Sequence, residues 1–342
     1  MNNELPVPED IYVKARSFTI DPIVTIEQIT DGAINETYQV ETMSARFILQ
    51  KMNQIFSPVV MGNLALIQPY VTAAGVIIPK GIDAVDGNPY LLTSTGDWYR
   101  ALKFVPGKTV HDHLSVSSAK SAAALIGSFH SALTTCSVKP AVALPHFHDT
   151  PYYMERLSKV MENNQDEFKK KNLEPLALKI LGLYKENFID LSNLPSRIIH
   201  ADLKISNVRF SDEGEAVALI DMDTLMAGSV VIEMGDALRS WCGTAGEDSA
   251  EQVFDESIAL AVLASYREAA VGITDEEFAL IPYGIQLLTI ELAARFITDA
   301  YEETYFAKSR KYDSLYEQCK TRGENQLRFL AAYEAKRHLL EG

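Results

Sequence analysis

Residues 198–210, IIHADLKISNVRF, and 219–223, LIDMD, set ionisable and amide side chains between short runs of apolar, β-forming residues. Runs of that kind are buried as strands, and a connection that only reversed the chain would more cheaply be Asn-Gly or Asp-Gly. The spacing predicts a hairpin of 208–210 with 216–220 across SDEGE, whose open ends bring Asn207 next to Asp221. Two oxygen-bearing side chains meeting there suit a hard cation such as Mg2+, which takes a few protein oxygens and fills its shell with water and phosphate. Asp202, earlier on the same loop, is then placed to accept a proton from an attacking hydroxyl, with His200 as a brace. Asp223 either holds a second metal ion or caps the following turn. A metallohydrolase using His200, Asp202, Asp221 and Asp223 is another reading of the same residues, but it requires further imidazole ligands.

The sequence around this hairpin falls into two textures. Residues 23–30, 37–41 and 46–50 alternate or are β-branched, with Asp31-Gly32 and 42–44 as turns, which predicts an antiparallel meander. A helix over 59–72 and strands at 76–79, 90–93 and 98–105 follow. After Pro106-Gly107 the spacing becomes helical, at 118–135, through 151–190 and from 249 onward, interrupted only by the hairpin. The expectation is an α+β fold in two lobes, a small antiparallel sheet over 1–103 and a larger helical part over 104–342, joined near 102–107.

Composition narrows the function classes. A chain of 342 residues, 47% hydrophobic, can bury a sizeable core. Its net charge of −15 disfavours nucleic acid as a partner, so any phosphate-binding surface has to be locally basic. No apolar run is long enough to span a bilayer and the N-terminus lacks the pattern of a secretory signal, so no membrane association and a cytoplasmic location are expected. Cys136, Cys242 and Cys319 are odd in number and far apart, which fits reduced thiols. The sequence carries no signal for an oligomeric state.

The combination of His-x-Asp-x-x-x-x-Asn, a short hairpin and a following Asp resembles the protein-kinase-like superfamily. With His-Ala-Asp and Ile-Asp-Met-Asp in place of Arg-Asp and Asp-Phe-Gly, it resembles the aminoglycoside phosphotransferase and choline kinase branch. The resemblance implies a kinase fold using ATP and Mg2+, with Asp202 as catalytic base, Asn207 and Asp221 as metal ligands and Lys204 facing the transferred phosphoryl. Nucleotide contacts are then expected from Gly32, Asn35 and Thr37 on the first hairpin and from the backbone of Phe104 and Val105 at the connection. The strand RFILQK departs from the pattern. Gln50 stands where a phosphate-binding lysine is expected, and Lys51 falls on the opposite face of a regular strand. Either a bulge turns Lys51 inward, or Gln50 meets the nucleotide and the charge comes from elsewhere. The helix over 59–72 has no Glu to pair such a lysine, which favours the second choice. These departures also leave open a non-catalytic nucleotide sensor.

The segments DGAINETYQV, FILQKMN, FHDTPYYMERL, HADLKISNVRF, LIDMDTLMAGSVVIEMGDALRS and ELAARFITDAYEETYF are similar, in this order, to the N-acetylhexosamine 1-kinases. This implies a small-molecule sugar acceptor phosphorylated at its anomeric hydroxyl. Choline, homoserine and aminoglycosides are the competing acceptors. The residues suited to hold a polyhydroxylated ligand are His148, Asp149, Asp236, Arg239, Arg295 and Tyr305. Arg295 lies on an otherwise apolar helix, so it needs either an ion pair with Asp236 or Glu291, or a ligand. Trp98 and Arg100 are read as packing residues.

Overall fold

The computed structural model describes residues 7–340 apart from 31–33, 112 and 244–245, so the Gly32 contact lies outside the described residues. Helix α1 (Glu9–Arg16) precedes strands β1 (Ile23–Ile29), β2 (Glu36–Thr42) and β3 (Arg46–Lys51). Helix α2 (Val59–Ala73), the two-residue strands β4 (Gly81–Ile82) and β5 (Leu91–Leu92), and β6 (Trp98–Lys103) follow. The sheet order is β1-β2-β3-β6-β4, with β5 also on β6, and every pairing is antiparallel.

Strand alternation explains what each face of this sheet does. Tyr38, Val40, Phe47, Leu49, Tyr99 and Ala101 point to one side, where they bury against Ile11, Ala15 and Phe18 of α1 and its C-terminal turn. Their neighbours Thr37, Gln39, Ile48, Gln50, Arg100 and Leu102 point to the other side and line a cleft. The predicted strand at 76–79 is not one. Pro79 has no donor to give a ladder, and the segment is instead tied at Ile77, whose carbonyl accepts from the Leu219 N–H at 3.0 Å.

Beyond β6, the short β7 (Lys108–Thr109) leads into α3 (Val116–Leu133), α4 (Thr150–Asn163), α5 (Gln165–Lys170) and α6 (Glu174–Asn187). Then come β8 (Arg197–Ile199), β9 (Val208–Phe210), β10 (Ala216–Leu219) and β11 (Met226–Gly228). Helices α7 (Val230–Trp241), α8 (Glu256–Ala269), α9 (Asp275–Ala279), α10 (Ile281–Glu302) and α11 (Leu315–Glu334) complete the fold. Helix α10 is buried on nearly every turn because α4, α6, α7 and α11 all pack on it. It crosses α7 at Gly235 and Gly284, where a Cβ on Gly284 would overlap the Val231 carbonyl. No helix among the described residues is long and apolar enough to cross a membrane. The three cysteines are free thiols.

The predicted hairpin is present, with Val208 opposite Leu219 and the Ile220 N–H donating to the Asn207 carbonyl at 2.9 Å. It is more elaborate than the sequence suggests. β7 adds a third strand on β9, and β8 pairs antiparallel with β11 outside the hairpin. Segments 200–207 and 220–225 are therefore clamped between the same two small ladders.

Candidate active site

Each bend of the first segment is held by a specific partner. The Glu233 carboxylate, fully buried on α7, accepts the His200 N–H at 2.8 Å and the Ala201 N–H at 2.7 Å. Ala201 has φ +66°, a left-handed conformation that a non-glycine residue keeps only when its surroundings impose it. Burial alone would raise the Glu233 carboxyl, but His130 at 3.2 Å, together with His200, holds it below the usual range. The His200 ring donates to the Ile220 carbonyl at 2.9 Å and accepts the Asp202 N–H at 3.3 Å, so it joins the two ionisable segments, as a brace should. Thr224 donates to the His200 carbonyl at 2.7 Å, and Trp241 to that of Leu203 at 2.8 Å.

This scaffold presents Asp202, Lys204, Asn207 and Asp221 to one cleft of about 410 Å3. Lys204 Nζ lies 2.7 Å from Asp202 Oδ2, and the Asn207 amide donates to the same oxygen at 2.9 Å and to the Asp202 carbonyl at 2.8 Å. Burial opposes ionisation of Asp202, yet Lys204, His200 and Asn207 outweigh it and hold the carboxyl below the usual carboxylate range. Asp221 is the opposite case. Burial, then repulsion from Asp223 and Asp202, pushes it up to about 6. Its backbone is left-handed at φ +65°, and no donor among the described residues reaches its carboxylate. A half-buried carboxylate in this state, beside an Asn207 whose donors are spent on Asp202 and whose carbonyl is left over, is a fitting pair of ligands for a divalent cation.

The opposite wall carries a row that the sequence did not reveal. β2, β3 and β6 place Thr37, Gln50 and Arg100 directly across from one another. Gln50 donates to Thr37 at 3.1 Å, and Arg100 Nε donates to Gln50 at 2.9 Å. The two terminal nitrogens of Arg100 donate to both oxygens of Asp223, at 2.5 and 2.8 Å. Asn35 donates to the same carboxylate at 3.2 Å. Arg100 is thus a cleft residue and not mere packing, whereas Trp98 is buried with its indole on the Phe56 carbonyl at 3.0 Å. The register at Lys51 is regular. Lys51 turns to Glu36 at 3.8 Å and Asp97 at 3.7 Å and does not line the cleft.

At the far end Phe104 and Val105 line the cleft with Ile29, Ile48, Leu102 and Ile220, and among the described residues their peptide groups make no hydrogen bond. A flat apolar ring with polar edges would fit between such walls.

The remaining candidates form a second cluster that does not line this cleft. His148, also left-handed at φ +56°, bridges the Ala201 carbonyl at 2.8 Å and Glu291 at 3.3 Å. Glu291, missed as a site residue, also accepts from Thr150 at 2.6 Å and lies 3.8 Å from Arg295. Burial works against both charges, but mutual attraction lowers Glu291 and raises His148. Arg295 therefore pairs with Glu291 and not with Asp236. Its guanidinium sits among the rings of Phe147, Tyr153, Tyr305 and Phe306, and Tyr305 accepts from it at 2.6 Å. Asp236 is paired with Arg239 at 3.0 Å, and Asp149 caps α4 through the Tyr152 N–H at 3.2 Å. Of the imidazoles that a metallohydrolase would use, His146 is engaged by Asp149 and His148 by Glu291 and the Ala201 carbonyl, while His111 lines the cleft.

The sequence matches the model of the phosphotransferase enzyme family over residues 25–269. The chain belongs to this family. Among solved structures, this phosphotransferase is similar to a microcompartment-associated aminopropanol kinase, with a TM-score of 0.65 at 17% identity over 98% of this chain and 99% of that one. An aminoglycoside phosphotransferase from Alicyclobacillus acidocaldarius superposes with a TM-score of 0.62 at 14% identity, covering 99% of both chains. An amicoumacin kinase solved with AMP-PNP and Ca2+ gives 0.60 at 16% identity over 97% of this chain and 93% of that one. These likenesses establish the two-part kinase-like fold.

Proposed function

We propose that this phosphotransferase moves the γ-phosphoryl of ATP to a hydroxyl of a neutral, polyhydroxylated small molecule, the anomeric hydroxyl of an N-acetylhexosamine. Asp202, kept ionised at neutral pH by its neighbours, takes the proton of the acceptor hydroxyl as that oxygen bonds the γ-phosphorus. The bond from γ-phosphorus to the β–γ bridging oxygen breaks, and ADP leaves. Lys204, with 43% of its side chain exposed, is close enough to Asp202 to follow the charge of the moving group. Asn207 and Asp221 are the residues that would hold Mg2+, which supplies positive charge to the phosphate oxygens when bound. The nucleobase is assigned to the apolar end, against Phe104 and Val105. The amicoumacin kinase, solved with a nucleotide analogue and a divalent cation, supports the choice of cosubstrates.

The observation that carries the acceptor class is charge balance in the second cluster. Asp236 is matched by Arg239, and Glu291 by His148 and Arg295. Among the described residues these pairs leave no unmatched carboxylate for a quaternary amine or a polycationic aminoglycoside, and Asp299 is taken up by the Thr304, Tyr305 and Phe306 N–H groups, while paired donors, acceptors and the exposed Tyr305 ring suit a sugar. Similarity to the N-acetylhexosamine 1-kinases in the quoted motifs supports the specific sugar. The test is ADP release with MgATP on a panel of N-acetylhexosamines, hexoses, choline, homoserine and aminoglycosides. Stimulation by N-acetylhexosamines is expected, and stimulation by the cationic acceptors alone would overturn the assignment.

A further inference from the structure

An arginine with 3% of its surface exposed is costly unless the donors of its guanidinium are used. Arg100 uses its donors on Gln50 and on both oxygens of Asp223, and Thr37 orients the Gln50 amide in turn. The row therefore fixes the plane of the guanidinium as well as neutralising Asp223. Lys51 faces Glu36 and Asp97, and Lys204 faces Asp202, so neither stands in the Gln50 row; Lys103 and Arg209 line the cleft outside that row. Helix α2 offers no acid that could recruit a lysine to the Gln50 position.

We propose that Arg100 binds the α and β phosphates of the nucleotide in place of a lysine at position 50, and that Asp223 occupies its fork until they arrive. This rests on reading the cleft as an ATP site. A phosphate presents the same two-oxygen edge as a carboxylate to the fork of an arginine. The exchange of Asp223 for phosphate preserves the hydrogen bonds of Arg100 and leaves Gln50 in place. Asp223 thereby competes with the nucleotide and sets how tightly polyphosphate is held.

Calorimetric titration of the full chain with ADP and with adenosine, in EDTA so that no metal contributes, tests this on wild type, Asp223→Asn and the double variant Arg100→Met/Asp223→Asn. Replacing Arg100 alone would leave Asp223 buried without its partner, whereas the double variant removes both charges. Asp223→Asn should bind ADP more tightly than wild type. The double variant should bind ADP about tenfold or more weakly than Asp223→Asn. Adenosine affinity should be equal in all three, which also reports an intact cleft. A double variant that keeps the ADP-over-adenosine preference of Asp223→Asn would overturn the role of Arg100, and no gain in Asp223→Asn would overturn the competition. A wild type that binds neither ligand would overturn the ATP reading as well.

Discussion

Replacing Asp221 by Asn should stabilise the ligand-free protein while removing its response to metal-bound nucleotide. The carboxyl titrates at about 6 in the fold against an ordinary 3.8, a difference of about 3 kcal/mol once the group is ionised. The sign follows from the raised value. Below pH 3.8 the group is neutral in both states and the fold bears no penalty, which then grows as pH rises and is complete above about pH 6. Asn carries no charge, so Asp221→Asn should exceed wild type by about 3 kcal/mol near pH 8 and by about half of that near pH 5. Urea unfolding at a series of pH values measures the gap by linear extrapolation. Adding MgADP at about a hundred times its Kd should raise wild type by about 2.7 kcal/mol and the variant by far less, so the two curves converge. A variant no more stable than wild type near pH 8, or a gap independent of pH, would mean that the Asp221 carboxylate carries no such penalty in the fold.

Asp202→Asn should lower kcat by about 10^2- to 10^4-fold while changing nucleotide affinity little, measured by steady-state kinetics beside calorimetry. Glu233→Gln turns an amide donor toward the His200 and Ala201 N–H groups. It should cost about 1–3 kcal/mol in urea unfolding and lower kcat although Glu233 touches no substrate. Gly284→Ala forces a methyl group into the α7 backbone and should cost about 1–3 kcal/mol or more, read as a fall in the urea midpoint at unchanged slope.

What the sequence disclosed follows local periodicity. The alternation of β2 and β3 and the apolar runs flanking HADLKISN made the meander and hairpin legible, and the hairpin's geometry brought Asn207 toward Asp221. Contacts set by register between distant strands were not legible. Arg100 is opposite Gln50 only because β6 joins β3 with that pairing, fifty residues on in the chain. Glu233 carried no signal in the sequence and Glu291 stood out only as one of two partners for Arg295; the packing of α7 and α10 shows that the first holds the Ala201 bend and the second also meets His148. Alternation rightly put Lys51 on the far face, and the cation that lines the cleft beside Gln50, Arg100, stands one strand away.

Transfer of a phosphoryl group to the anomeric oxygen of an N-acetylhexosamine is the reaction proposed for this cleft. Incubating the enzyme with MgATP and N-acetylglucosamine or N-acetylgalactosamine, and following the product by 31P NMR coupled to the anomeric proton, tests it most directly. The expected product is a sugar monophosphate whose phosphorus couples to the anomeric hydrogen, with loss of the reducing end and equimolar ADP. A product phosphorylated at any other hydroxyl, or ATP consumption that leaves the sugar unmodified, would contradict it.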